Sequence, residues 1–289
     1  MDGTTLVAGA TGSLGRRLVA ELDRRGRSTR ALVRDRSRAA ALAPQSELVV
    51  GDLTDEQADL VGACRGARTV ISVAGQSTAS RRLPDRRGFH EVDYRGNVRL
   101  LEAAEAAGAE RFLYVSVFGA ARLRGLEYVD AHERFVERLR ASEVESTVVR
   151  VNGFFSAYRE LLELAAAGRR IPLFAGGSAR SNPIHEVDLA ARCVEALEAG
   201  GSTVDVGGPE TLTRRQEIEL AFAAVGRKPR TVPVRPGMAR ALALALRPLD
   251  RRLSATVAFL AAVNAIDMVA PSHGERRLAD YFAEYAAAR

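Results

Sequence analysis

Lysine is almost missing from this chain. Lys228 is the single lysine among 289 residues, so the formal net charge of +6 is carried by arginine. Those arginines are spread over helical faces among Glu and Asp, with no basic stripe interleaved with aromatics, so neither nucleic acid nor a membrane surface is expected as a partner. Cysteine is nearly as scarce. Cys64 and Cys193 stand far apart in apolar surroundings, which excludes a disulfide framework and metal-ligand spacing and predicts two buried free thiols. His90 and His273 lack partner spacing as well, so no metal is expected. No uninterrupted apolar run reaches the roughly eighteen residues of a membrane span; the best candidate, residues 256–270, carries Asn264 and Asp267. A strand begins almost at the first residue, so no signal peptide is expected, and the chain reads as a soluble cytoplasmic protein.

What is present is concentrated at the start. In Thr4-Thr5-Leu6-Val7-Ala8-Gly9-Ala10-Thr11-Gly12-Ser13-Leu14-Gly15 a short apolar strand enters a glycine turn that opens an amphipathic helix. That geometry holds a dinucleotide pyrophosphate on backbone N–H groups at a helix N-terminus. Gly9 and Gly12 remove Cβ atoms from the path of the phosphates, and Gly15 lets the helix pack on the strand. The cradle residues are therefore Gly9, Thr11, Gly12, Ser13, Leu14 and Gly15. A glycine turn without a ligand is the plainer alternative; the strand before it and the helix after it favour the nucleotide.

Further along, β-rich runs near residues 4–9, 29–34, 47–51, 69–74, 111–116 and 146–151 alternate with helical patterns near 13–25, 37–43, 56–63, 91–107 and 130–141. This alternation predicts βαβ units and an α/β fold, a doubly wound parallel sheet with its ligand crevice beyond the carboxyl ends of the strands. Residues 1–151 form the dinucleotide-binding core in this reading. Residues 152–289 complete the sheet, with a late strand at 202–208, and cover the crevice with a smaller, mostly helical region, the whole being one structural unit.

Several segments in order resemble the extended and atypical short-chain dehydrogenase/reductase family, in its NmrA-like, NAD(P)H-binding branch. They are the glycine turn, Gly51-Asp52-Leu53, Val73-Ala74-Gly75, Val92-Asp93-Tyr94-Arg95-Gly96-Asn97, Tyr114-Val115-Ser116-Val117, Asn182-Pro183-Ile184-His185 and Gly207-Gly208-Pro209-Glu210. The resemblance implies that Asp52 accepts from the adenine amino group, or serves as a cap or turn residue, with Leu53 against the ring. It places Ala74 and Gly75 under the nicotinamide ribose.

Cofactor flavour turns on the end of the second strand, where an NAD site carries an acid that accepts from the ribose 2′-hydroxyl. Here the sequence is Arg34-Asp35-Arg36-Ser37-Arg38. Arg34 is positioned to stack on adenine and pair with a 2′-phosphate, and Arg38 to clamp it, so NADP(H) is the expected cofactor. A surface charge cluster is the alternative.

The family's Tyr-x-x-x-Lys pair is broken. Tyr128 has the spacing of the tyrosine, but His132 stands in the lysine position, and Lys228 is too remote to substitute. Two outcomes follow: His132 contacts the ribose and moves a proton near neutral pH, or the usual tyrosine chemistry is gone. Ser116 matches the family's carbonyl-polarising serine. Phe118, Phe154, Phe155, Tyr158 and Phe174 fall where loops border the crevice, suiting an apolar, aromatic or polyketide-like ligand, although aromatics in such places also pack cores.

The expected function is an NADPH-dependent oxidoreductase acting on a carbonyl or conjugated double bond of a small molecule, as a monomer or homodimer. Ser116, Tyr128 and His132 are its candidate catalytic residues. The competing functions are a non-catalytic NADP(H)-binding sensor and a cofactor-retaining isomerase, epimerase or cyclase.

Overall fold

A computed structural model describes residues 3–39, 42, 45–76, 78 and 87–288. In the first half, β1 (Thr4–Ala8), α1 (Ser13–Arg24), β2 (Thr29–Val33), β3 (Glu47–Val50), α2 (Leu60–Cys64), β4 (Ala67–Ser72), α3 (Asn97–Ala106), β5 (Arg111–Val117), α4 (Glu127–Arg140) and β6 (Glu145–Val151) follow one another. The second half holds α5 (Arg159–Ala166), β7 (Ile171–Phe174), β8 (Arg180–Ser181), α6 (Glu186–Ala199), β9 (Thr203–Val206), β10 (Leu212–Thr213), α7 (Arg214–Ala224), β11 (Thr231–Val234), α8 (Pro236–Leu246), α9 (Arg251–Val263) and α10 (Leu278–Ala287). Seven strands form a parallel sheet in the order β3-β2-β1-β4-β5-β6-β9. The order reverses at β1, which is the doubly wound topology, and the crevice lies at that switch point.

Period-2 alternation divides the core between the two faces of this sheet. Val7, Ile71, Leu113 and Val149 turn towards Leu14, Leu18 and Leu22 of α1 and Leu189 and Cys193 of α6. Leu6, Val70, Phe112 and Tyr114 turn the other way, onto Leu100 and Leu101 of α3 and Phe135 and Leu139 of α4. Cys64 and Cys193 are both buried and free, on opposite faces. β9 joins the edge of the sheet through β6, so the later part of the chain completes the same layer. A separate cluster built on Leu162, Ile171, Phe222 and Phe282 packs α5, β7, α7 and α10 together.

Local differences from the sequence reading have identifiable causes. The expected helix over residues 37–43 is a 3-10 turn, Arg36–Ala39, whose entry is set by Asp35 accepting from the Ser37 N–H; its expected end at Ala43 lies outside the described residues. The helix expected over 91–107 opens with a π-helical stretch, His90–Gly96, because the Asn97 side chain donates to the Asp93 carbonyl at 3.0 Å and the Ala74 carbonyl at 3.2 Å, bridging two chain segments there. α4 begins earlier than expected and takes Tyr128 into its first turn. No helix of the described residues is long and apolar enough to cross a membrane.

Candidate functional site

At the switch point the chain leaves β1 through Gly9, whose φ of +81° is left-handed. A Cβ on Gly9 would lie 2.8 Å from the Ala74 nitrogen, so the turn abuts the end of β4. A Cβ on Gly15 would lie 2.1 Å from the Gly9 carbonyl oxygen, which is why the helix starts so close to the strand. The Gly12 N–H donates to the Gly9 carbonyl at 2.9 Å. No side chain caps α1, and its first turn holds no acid. The N-terminal N–H groups contributed by Ser13, Leu14 and Gly15 thus meet no competing carboxylate, which fits a diphosphate. Thr11 turns its carbonyl to the Arg16 guanidinium at 3.0 Å, and the Ser13 hydroxyl accepts from Ser156 at 3.1 Å.

Beside this cradle, Arg34 and Arg38 are both exposed past the end of β2. Asp35 is committed elsewhere: its carboxylate accepts from the Ser37 hydroxyl at 2.7 Å and the Ser37 N–H at 2.8 Å, and these bonds hold it below the usual carboxylate range. Past β3, Asp52 accepts from the Thr54 N–H at 2.9 Å and from Arg87 at 2.9 Å. The turn role of Asp52 is therefore formed, with Arg87 already on its carboxylate. Leu53 is buried against Gly96. Ala74 and Gly75 follow β4, and a Cβ on Gly75 would lie 2.6 Å from a carboxylate oxygen of Asp93. The missing side chain at Gly75 thus seats a buried acid.

Asp93 leads to the largest departure from expectation. Its carboxylate is fully enclosed and accepts from the Gln76 N–H at 3.1 Å; burial pushes its pKa well above the usual carboxylate range. His132 Nε2 lies 3.4 Å from Asp93, and Nδ1 lies 2.6 Å from the Tyr114 hydroxyl. Burial lowers the His132 pKa to about 4 and raises that of Tyr114. Tyr114 therefore keeps its proton and shares a hydrogen bond with Nδ1, while Nε2 is buried beside Asp93 without a hydrogen-bond partner among the described residues. The expectation that His132 moves protons near neutral pH is corrected here: desolvation holds it neutral, between β5 and the segment that carries Asp93.

Tyr128 lies one turn before His132, with its ring edge-on to Phe89, His132 and Phe259 at centroid distances of 5.0, 4.7 and 4.5 Å. Burial, with Asp93 nearby, raises the phenol pKa, the opposite of what a neighbouring lysine would do. Ser116 is buried, and its hydroxyl donates to Glu133 at 3.4 Å; the other Glu133 oxygen accepts from Arg150 at 2.6 Å.

The five loop aromatics separate. Phe118 joins Tyr128, Phe259, Val263 and Ile266 in one apolar group beside Met268, and the Arg122 guanidinium lies 5.8 Å over its ring. Phe154 packs on the sheet core through a bridge to Ile184. Phe155 is corrected to a core residue: it is 1% exposed and packs on His185 and Tyr281. Tyr158 is likewise drawn away, its hydroxyl accepting from Arg214 at 2.8 Å within a buried group that includes Ser181 and Glu217. Phe174 ends β7 beside the Ala175–Gly177 turn, where Ala175 has φ of +45°.

Asn182 supplies the frame behind these loops. Its amide accepts from the Ala270 N–H at 2.9 Å and donates to the Ala270 carbonyl at 2.8 Å and the Gly208 carbonyl at 3.2 Å, while the Asn152 amide donates to it at 2.8 Å. His185 caps α6, its Nδ1 accepting from the Val187 N–H at 3.1 Å. Sequence reasoning missed Asp93, Tyr114, Glu133, Arg150 and Phe259 as neighbours of the candidate residues. Asp93 was visible within a quoted motif, but nothing in the sequence signalled its burial.

A family model of NAD(P)H-binding proteins matches residues 9–200. The divinyl chlorophyllide a 8-vinyl-reductase of Zea mays is 30% identical over 251 residues, spanning 80% of this chain but only 61% of the maize protein. The 3-diazoavenalumate denitrifying reductase of a Streptomyces species is 33% identical over 224 residues, 67% of this chain and 72% of that protein. The photosystem II assembly factor Ycf39 of Guillardia theta is 29% identical over 227 residues, 77% of this chain and 70% of that one. Among solved structures, the NADPH-dependent quinone oxidoreductase QOR2 of Escherichia coli, complexed with NADPH, superposes with a TM-score of 0.74 at 20% identity, over 97% of this chain and 99% of that one. The match over most of the sheet and the glycine cradle agree: this chain belongs to the NAD(P)H-binding family, consistent with its NmrA-like resemblance.

Proposed function

We propose that this chain is a cytoplasmic, NADPH-dependent reductase of a carbonyl or conjugated double bond in a small, largely apolar molecule. The observation that carries the reading is the pairing of an uncapped α1 N-terminus with exposed Arg34, beside an Asp35 whose carboxylate is taken up by Ser37. The α1 amides receive the diphosphate, and Arg34 and Arg38 receive the 2′-phosphate. The bound nicotinamide supplies a hydride. Ser116 orients the acceptor oxygen, and Tyr128, kept protonated by burial, holds the proton that completes the reduction. Phe118, Phe259 and Ile266 give the acceptor an apolar wall.

Calorimetric titration with NADPH and NADH tests the cofactor half; affinity for NADPH higher by about tenfold or more is expected, as one good charge-assisted contact provides. Equal affinity overturns the arginine argument. Loss of NADPH absorbance with quinone and enone probes tests the reductase half.

One observation favours a second reading, an NADP(H)-binding sensor without turnover. Phe259 of α9 lies on Tyr128, and histidine replaces the lysine that would acidify the phenol. Nucleotide binding with no loss of absorbance against any probe would support that reading. Conversion of a substrate without net loss would support an isomerase or cyclase.

A further inference from the structure

Residues 220–249 contain no Asp or Glu and six basic residues, as many as the net charge of +6 of the whole chain. The remainder is electrically balanced, so the excess that looks dispersed along the sequence belongs to one segment. Three of the six, Arg227, Lys228 and Arg230, lie in the loop before β11. Arg235, Arg240 and Arg247 lie on or flank α8, whose Ala239 and Ala243 are buried; the Ser254 hydroxyl of α9 donates to the Ala243 carbonyl at 2.7 Å. These small residues and this bond fasten α8 to α9 on one side. On the outside, Met238, Leu242 and Leu244 are 59%, 52% and 58% exposed, and Leu249, just past the helix, is 83% exposed. Arg235, Arg240, Arg247 and Arg251 are exposed around the same hairpin.

We propose that this hairpin is a docking surface for an anionic lipid bilayer, with the leucines and Met238 entering the headgroup boundary and the arginines engaging lipid phosphates. An apolar helical surface ringed by arginine has the chemistry of an interfacial helix; the acid at its turn, Asp250, is engaged as the α9 cap, accepting from the Leu253 N–H at 2.9 Å. Charge argues against a second copy of this chain as the occupant, because a two-fold contact would bring each set of arginines against its like. A nucleic acid would satisfy the guanidiniums but leave the leucines in water. The sequence expectation of no membrane partner rested on the arginines looking dispersed as well as on the lack of a spanning segment. The acid-free stretch at 220–249 removes the first ground, and a surface-bound helix needs no span. α9, the other arm, places Phe259 on Tyr128, so a docked hairpin brings the apolar end of the crevice next to the bilayer.

The test is sedimentation of the full chain with phosphatidylcholine vesicles and with vesicles containing about one third phosphatidylglycerol. Partitioning at least about tenfold stronger onto the anionic vesicles is expected, weakening several-fold in about 0.5 M salt. Leu242→Asp combined with Leu249→Asp should reduce partitioning about tenfold or more, and Arg240→Gln with Arg247→Gln several-fold. Both pairs are exposed, so melting temperature and NADPH affinity should match the parent. No partitioning onto either vesicle overturns the proposal. Partitioning unchanged by the leucine substitutions also overturns it, because simple electrostatic adsorption would then suffice. A lipid-independent dimer, seen by light scattering and lost in the leucine variant, would assign the face to a second copy and overturn it too.

Discussion

The Tyr114 hydroxyl lies 2.6 Å from Nδ1 of His132, inside the packing between β5 and α4. The imidazole that stands in the family's lysine position is turned towards the sheet. There an uncharged ring bonds a phenol through Nδ1 and leaves Nε2, unpaired among the described residues, 3.4 Å from a buried acid. Replacing His132 with Leu leaves the Tyr114 hydroxyl without its partner, a loss of about 1–3 kcal/mol by denaturant unfolding. Folding holds this histidine at about 4 against 6.5 when free, so the unfolded chain binds the extra proton between those values. The stabilisation is complete above pH 6.5 and is lost as pH falls towards 4. Over that window the parent should lose roughly 3 kcal/mol relative to His132→Leu, enough to cancel or reverse the difference seen at neutral pH. A pH-independent difference would contradict the buried neutral ring.

Tyr128→Phe should lower the reductase turnover by about a hundredfold while leaving the NADPH dissociation constant unchanged, because only the proton is removed. Burial raises this phenol's pKa, so the parent rate should show no alkaline fall attributable to Tyr128 between pH 7 and 9, in contrast to a lysine-acidified tyrosine. Steady-state rates across that range check both statements.

Arg34→Ala should weaken NADPH by about 10–100-fold and leave NADH nearly unaffected, since only NADPH carries the additional phosphate. Calorimetry on the variant with both nucleotides reads the difference.

Gly15→Ala places a Cβ 2.1 Å from the Gly9 carbonyl oxygen, and backbone cannot yield as a flexible side chain would. A destabilisation of about 3 kcal/mol or more is expected, with loss of nucleotide binding in whatever folds. Gly26→Ala is the control: it also has left-handed φ, +68°, but nothing lies near its Cβ, so it should cost only about 1 kcal/mol and spare binding.

Asn182→Ala removes the amide that joins the end of β6, the Gly208 loop and the Ala270 segment. A loss of about 3 kcal/mol follows from the buried groups left unpaired. Thermal unfolding should show it while the NADPH-to-NADH affinity ratio stays constant, because the cradle lies on β1 and β2.

The parallel sheet, its reversal at β1 and the glycine cradle were legible in the sequence because local rules write them. Alternating apolar runs mark strands, and Gly9 and Gly15 stand where a Cβ cannot fit. The place of Arg34, just past β2, was readable for the same reason, since it follows from where the strand stops. Where a side chain points across a packed interior carries no such local mark. Spacing placed His132 beside Tyr128, but only the tertiary structure turned it onto Tyr114 and Asp93, and it drew Phe155 and Tyr158 into a core of their own while leaving Phe118 with Tyr128. Those outcomes depend on desolvation and on partners far away in the chain, and both exist only once the helices have closed on the sheet.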